Sequence, residues 1–333
     1  MASASEAAER PERRRTLLQA AGVGLGLGLL AWVVASVGPG AIARAMLEAA
    51  PWMPLVVLFD LGFFVSEVAA HRAVLGPRRA DIPAARLVRA SLLYYCVMVL
   101  APLGSLGAEV ARAAAYAPHV GAGRATAAAG NMQAGVLLAN AIVSAPIWLA
   151  VAAAVGPGHA LAWLVVVNGA GTALLGTVTW LLVRRSRVGR WLAARFPRFA
   201  KLGQELDEAG ALCRREMLAS VAFCSLARLS QVAQYAALLG AIGASVSLSG
   251  SLVAMGVHLV GAAFGDLVPN QIGIQEGAYQ FFADAVGLAA DPARAVSIAL
   301  LTRVSQLLVA GSSLLALFFT RHLDAAPAPE PAR

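Results

Sequence analysis

The chain has 333 residues, 59% of them hydrophobic and only 13% charged, with a mean hydropathy of +0.72; this balance excludes the solvated surface of a soluble protein of such size. Its formal net charge is +8, but the basic residues gather beside apolar runs, in 1–15, 71–89 and 184–215. That placement fits the cytoplasmic loops of a membrane protein and not a nucleic-acid surface.

A basic tail, 1–15, precedes the first apolar run, 17–37, which is too long for a secretory signal and reads as an uncleaved spanning helix. The glycines between Gly22 and Gly28 suit helix packing, since no strand precedes them as a phosphate loop requires. A poorly charged outer loop, 38–50, leads to the second run, 52–70. Asp60 on it reads as facing the bundle, and Glu67 and His71 as interfacial.

Further spans are expected at 125–155, 160–183, 217–242 and 293–320, six in all. The turn at 156–159 is uncharged and the segment 184–216 is strongly basic, which fixes the direction of the helices around them. The region 90–124 then begins and ends inside, and 251–291 begins and ends outside. Neither crosses once. The arm 90–103 is 14 residues, about 21 Å of helix against a hydrocarbon core of about 30 Å, so re-entrant hairpins are expected at 90–118 and 251–287.

The expected architecture is therefore all-α and polytopic: one transmembrane domain, 16–323, with six helices and two oppositely oriented re-entrant hairpins. The halves 51–155 and 217–320 form an inverted repeat, and a Pro/Ala-rich tail, 324–333, is expected to be disordered. The hairpin tips match residue by residue. Pro102 precedes Glu109 by seven positions and Pro269 precedes Glu276 by seven, with Gly104 and Gly107 in the first interval and Gly273 in the second. Gly/Pro-broken short segments in corresponding halves point to a transporter site near mid-depth.

The candidate site follows from cost. An Asp or Glu at the centre of a spanning helix costs roughly 2.5 to 3.5 kcal/mol, so Asp266 and Glu276 need partners. Arg303, Arg228 and Arg112 supply opposite charge, and Glu109 shares a helical face with Arg112. Arg228, Gln231 and Tyr235 form one stripe. The substrate-binding set is Glu109, Arg112, Arg228, Asp266, Gln275, Glu276, Tyr279 and Arg303; the tips are Pro102, Gly104, Gly107, Pro269, Asn270 and Gly273. Either these groups receive an anion such as a lipid phosphate at two half-helix N-termini, or the acids favour helix starts and the arginines neutralise them as buried pairs. Asn131, Gln133 and Asn140 either line a path or hydrogen-bond between helices. His258 reads as hydrogen-bonded to a neighbour.

Three isolated cysteines, Cys96, Cys213 and Cys224, suggest neither a disulfide framework nor a zinc site. HExxH, P-loop and GxSxG motifs are absent, and the longest soluble segment is about 32 residues. No cofactor or metal is expected, and an enzyme would have to work inside the membrane.

At its two tips, GSLGAEVAR (Gly104 to Arg112) and VPNQIGIQEGAY followed by the helix of Arg303, the chain resembles a flippase-like membrane family. That family includes the membrane region of lysylphosphatidylglycerol synthases, archaeal glycosylation-linked proteins and hopanoid-associated members. The resemblance covers nearly the whole chain. It implies lipid translocation or lipid-linked glycan handling, without the aminoacyl-transferase domain of the synthases. Many relatives carry an acidic residue and an arginine where this chain has Asn131, Met132 and Gln133, and Arg where it has Gln275; this leaves the headgroup open. The expected function is translocation of an amphipathic lipid (an anionic phospholipid, a lipid-linked sugar or a hopanoid) in the cell inner membrane, with both termini cytoplasmic and a homodimer possible. Two alternatives are an intramembrane transferase or accessory subunit of a lipid-modifying enzyme, and an ion-coupled carrier of a small polar solute.

Overall fold

A computed structural model describes residues 28, 30–101, 104–184, 188–197, 200–210, 214–265 and 271–320. Pro102, Pro269, Asn270 and Asp266 lie outside the described residues, as do both tails and most of the first apolar run. Among the described residues there is no strand. The helices are α1 (30–37), α2 (Pro39–Ala49), α3 (Met53–Leu75), α4 (Ala84–Leu100), α5 (Gly104–Val120), α6 (Ala122–Val155), α7 (Ala160–Arg184), α8 (Val188–Arg195), α9 (Ala200–Gly210), α10 (Arg214–Ala241), α11 (Leu248–Gly265), α12 (Ile274–Phe281) and α13 (Pro292–Phe319).

Each expected span from 52 onward is one unbroken helix: α3, α6, α7, α10 and α13. Among the described residues five stretches are long and apolar enough to cross a membrane, namely Pro39–Asp81, α6, α7, α11 and α13. The protein is a multi-pass membrane protein. Its outward faces carry large apolar side chains such as Leu58, Val65, Leu149, Trp163, Leu174 and Phe281, as a lipid-facing surface requires. α10 falls outside those five; Arg214, Arg215, Glu216, Arg228, Gln231 and Gln234 interrupt its apolar character.

Three features depart from the sequence expectations. The outer loop at 38–50 is the helix α2, whose Ile42, Ala45 and Ala49 are buried at helical spacing against α13. The basic segment 184–216 contains α8 and α9, which pack on each other, and α9 docks on α6. The helices in the regions expected to form hairpins are also longer than their apolar runs; in α4, residues such as Arg86 and Arg89 extend the helix before the apolar stretch. α4 and α5 each have 17 residues and α11 has 18, so each is about 25–27 Å long. α12 has only 8. Length alone does not keep α11 from crossing.

Contacts between element ends sort the chain to two faces. On one, Glu216 at the start of α10 lies against Gly76, Glu205 of α9 accepts a hydrogen bond from the Gly123 amide at 3.0 Å, Arg124 pairs with Glu208 at 3.0 Å, and Arg89 donates to the Leu317 carbonyl at 3.1 Å. On the other, His159 meets Asp284 at 3.2 Å and Trp52 packs against Gly240. The 34 residues of α6 make about 51 Å of helix, more than a bilayer core needs; its surplus first turns are the ones that α9 caps. The pair α4–α5 opens toward the first face, and α11–α12 toward the second. Packing is reciprocal: α3 lies against α10, α4 against α13 as α11 is against α6, and α5 against α6 as α12 is against α13.

The α3–α10 crossing is held by small residues and hydroxyls. Ser230 Oγ donates to the Phe59 carbonyl at 2.7 Å and Gln234 Nε2 to the Val56 carbonyl at 3.2 Å. A Cβ on Gly62 would stand 2.5 Å from Ser230 Oγ, so only glycine lets the two backbones approach this closely. We expect Gly62→Val to destabilise the protein by about 1–3 kcal/mol through overpacking, read as earlier unfolding in a denaturing-detergent titration. Adding Ser230→Gly should restore part of the loss; no recovery would place the strain elsewhere.

Candidate functional site

Between the helices lies a cavity of about 480 Å³. α3 contributes Asp60, Phe63 and Glu67; α4 contributes Tyr94 and Tyr95; α6 contributes Gln133 and Asn140; α7 contributes Asn168 and Thr172. From the second half come Arg228, Gln231 and Tyr235 on α10, His258 on α11, Gln275 and Tyr279 on α12, and Thr302, Arg303 and Gln306 on α13. The broken regions meet it too, through Gly104 at the first residue of α5 and through Gln271.

α12 starts where it does because Gly273 stands at φ 80°, a conformation costly for residues with a Cβ, and because Glu276 accepts the Gly273 amide at 2.8 Å. The same carboxylate accepts from Arg303 Nε at 3.1 Å and lies 3.0 Å from its Nη2. Glu276 has no exposure, whereas the Arg303 side chain keeps 16% and lines the cavity. Arg303 is thus the exposed member of the pair and Glu276 its buried counter-ion. Gln275 Nε2 donates to the His258 carbonyl at 3.2 Å and to Gln271 Oε1 at 2.8 Å. Tyr279 donates its hydroxyl to the Ala254 carbonyl at 2.9 Å, tying α12 to α11.

In the first half, Glu109 and Arg112 form a two-pronged pair along α5, both buried. The Arg112 guanidinium lies over the Tyr94 ring, 4.1 Å from its centre, and Tyr94 lines the cavity. The pair supports the wall from behind. Gly107 follows Gly104 in the same helix, away from the lining. Arg228 donates to Gln231 Oε1 at 2.5 Å and sits 5.5 Å from the centre of the Phe63 ring.

Of the expected binding set, the structure brings Arg228, Gln275, Tyr279 and Arg303 to the cavity wall and places Glu109, Arg112 and Glu276 one layer behind it. Glu67 and His71, expected at the interface, are buried. Tyr94 hydrogen-bonds Glu67, and the Tyr116 ring centre lies 5.3 Å from that of His71, so α4 and α5 cover this end of α3. Asn140 and Gln133 line the cavity, while Asn131 is buried without a partner among the described residues. His258 packs its ring 5.6 Å from that of Tyr235.

Sequence reasoning missed Asn168, Thr172 and Gln306, whose only signal is a polar residue within an apolar helix, and the role of Asp60. That carboxylate accepts hydroxyl hydrogens from Tyr95 and Ser305, each at 3.0 Å, joining α3, α4 and α13. Among the described residues no group of three or more His, Cys, Asp or Glu side chains is placed to hold a metal ion.

Fold and site together define a polytopic membrane protein with a polar chamber enclosed by helices whose outer faces are apolar. The family described as Lysylphosphatidylglycerol synthase TM region matches residues 19–311, and the chain belongs to that family. No curated protein and no solved structure matches it.

The buried pair gives a direct test. Arg303→Met leaves the Glu276 carboxylate sealed without its cation, at an expected cost of about 3–5 kcal/mol; Glu276→Gln together with Arg303→Met should recover most of that. Unfolding curves of the two single variants and the double variant in detergent check this, and additive losses would contradict the pairing.

Proposed function

We propose that the protein moves an amphipathic lipid between the leaflets of a cell inner membrane, the headgroup passing through the cavity while the acyl chains stay in the bilayer. The observation that carries this reading is a cavity of about 480 Å³, lined by charged and amide side chains together with apolar ones, set inside helices whose outer faces are apolar. Its volume lies in the range of small-ligand sites, about 300–1,000 Å³. Membership of a family named for the membrane region of a lipid-modifying enzyme supports a lipid substrate.

In this reading α4–α5 and α11–α12 are re-entrant hairpins entering from opposite faces, and the two halves are an inverted repeat. The reciprocal packing of α4 on α13 and α11 on α6 supports it, as does their opening toward different ends of the bundle. Each break, after Leu100 and before Ile274, would supply a polar tip near mid-depth. The face that holds Arg78, Arg79, Arg86, Arg89 and Arg124 is read as the cytoplasmic one from the distribution of basic residues, and the reading keeps both termini cytoplasmic. The protein acts as a transporter without a cofactor, leaving its substrate covalently unchanged.

The test is leaflet exchange. Sealed vesicles containing the purified protein and a trace of fluorescent lipid should lose outer and inner label to an impermeant quencher, whereas empty vesicles lose only the outer half. Ala262→Trp or Ala299→Trp, which fills the cavity from α11 or α13, should slow exchange at least about tenfold, a barrier increase near 1.4 kcal/mol, in protein that still elutes as a single folded species. Exchange unaffected by both fillings would remove the cavity from the pathway.

A further inference from the structure

Among the described residues, the charged groups of the cavity wall balance in number. Two carboxylates, Asp60 and Glu67, and two guanidiniums, Arg228 and Arg303, line it, so their formal charges cancel. Arg303 is held by Glu276, Asp60 by the hydroxyls of Tyr95 and Ser305, Arg228 by Gln231 Oε1, and Glu67 by the Tyr94 hydroxyl with Arg228 within electrostatic range, while Arg228 Nε and Glu67 Oε2 are buried without a hydrogen-bond partner among the described residues. A phosphate or ammonium headgroup entering here adds a net charge to a wall whose described charges already cancel, and burying a net charge is unfavourable.

What the wall offers instead is carboxamides. Gln133 and Asn140 on α6, Asn168 on α7, Gln231 on α10, Gln275 on α12 and Gln306 on α13 face the same cavity. They come from five helices and from both halves of the chain. Asn140 Oδ1 and Gln275 Oε1 have no hydrogen-bond partner among the described residues. A carboxamide presents donors and an acceptor together, as a hydroxyl does, so a wall of them matches a group with several hydroxyls better than a group with a fixed charge.

We propose that the cavity selects an uncharged, polyhydroxylated headgroup, a glycosyl or polyol group. This rests on the translocation reading for its lipid anchor, but the chemistry of the wall applies to a free sugar as well. Asn168 on α7 and Gln306 on α13 act as specificity determinants through neutral hydrogen bonds.

Binding and transport separate the two claims. The full chain in lipid nanodiscs is titrated with octyl glucoside, octyl phosphate and octyltrimethylammonium below their micellar concentrations, and with free glucose. Octyl glucoside should bind at least about tenfold more tightly than either charged detergent and than glucose. Asn168→Leu with Gln306→Leu should erase about tenfold of that preference, the scale of one or two neutral hydrogen bonds. Tighter binding of octyl phosphate or octyltrimethylammonium, or equal binding of all three, overturns the proposal; binding of glucose as tight as octyl glucoside overturns the lipid source. Where the double variant does not fold, the selectivity of the unaltered protein decides alone. Vesicle exchange of a fluorescent glucosyl diacylglycerol against a fluorescent phosphatidylglycerol completes the test. Exchange of only the phospholipid overturns the headgroup class and leaves lipid translocation standing, whereas glucoside-selective binding with no exchange of either lipid leaves the headgroup class standing and removes translocation.

Discussion

Hydrocarbon offers no hydrogen bond to a peptide group, so a chain inside a bilayer keeps every amide and carbonyl satisfied within itself. Most of this protein obeys that constraint by forming long helices. At two places it does not. α4 ends at Leu100 with Ala101 extended, and α12 begins only after Gln271 and Gly273 have taken positive φ. Ends of this kind leave unpaired backbone groups, and they survive only where protein surrounds them. The lipid-facing helices make that surround, and α11, with 56% of its most apolar stretch buried, lies far deeper than α7 at 22%. The cavity is a consequence of the same arrangement: helix ends that cannot pack as smoothly as helix sides are gathered in one interior.

Charge follows the same logic at a second level. An ionised side chain this deep is tolerated only with a partner, and every acid whose partners are described here reaches across elements or one turn along its own. Glu276 does both, closing the N-terminus of α12 through Gly273 and joining α12 to α13 through Arg303. Asp60 binds three helices with two hydroxyls. Glu109 and Arg112 satisfy each other along α5 and brace Tyr94. The ionised groups thus fix the relative positions of the elements that wall the chamber, Glu109, Arg112 and Glu276 from behind its surface and Asp60, Glu67, Arg228 and Arg303 from the surface itself.

The long elements were legible because their signal is local. α3, α6, α7, α10 and α13 each correspond to an apolar run of spanning length. α2 was not legible: in PGAIARAMLEA a glycine, a proline and two charges look like a loop, and the helix forms because α13 covers Ile42, Ala45 and Ala49. Spacing located Glu276 and Arg303 and suggested their union. Whether a residue faces the chamber or backs it depends on partners far along the chain, and no spacing reports that. Ser305 is 245 positions from Asp60, and Asn168 and Gln306 line one cavity only because α7 and α13, far apart in the chain, are both brought to it. Glu67 and His71 failed for the same reason, since the cover over them comes from α4 and α5.

In the proposed translocation, this arrangement has an energetic sense for a wall that a ligand must both enter and leave. A desolvated ion pair between wall and ligand is hard to form and, once formed with good geometry, hard to break. Neutral hydrogen bonds exchange with water at a net gain of only about 0.5–1.5 kcal/mol each, so several together select a ligand without holding it. Glu109, Arg112 and Glu276, set back, keep the chamber's shape against the bilayer; at the surface, Asn140, Asn168 and Gln306 offer neutral groups beside the held charges of Asp60 and Arg303. Rigidity and release are thereby assigned to different side chains that share one chamber.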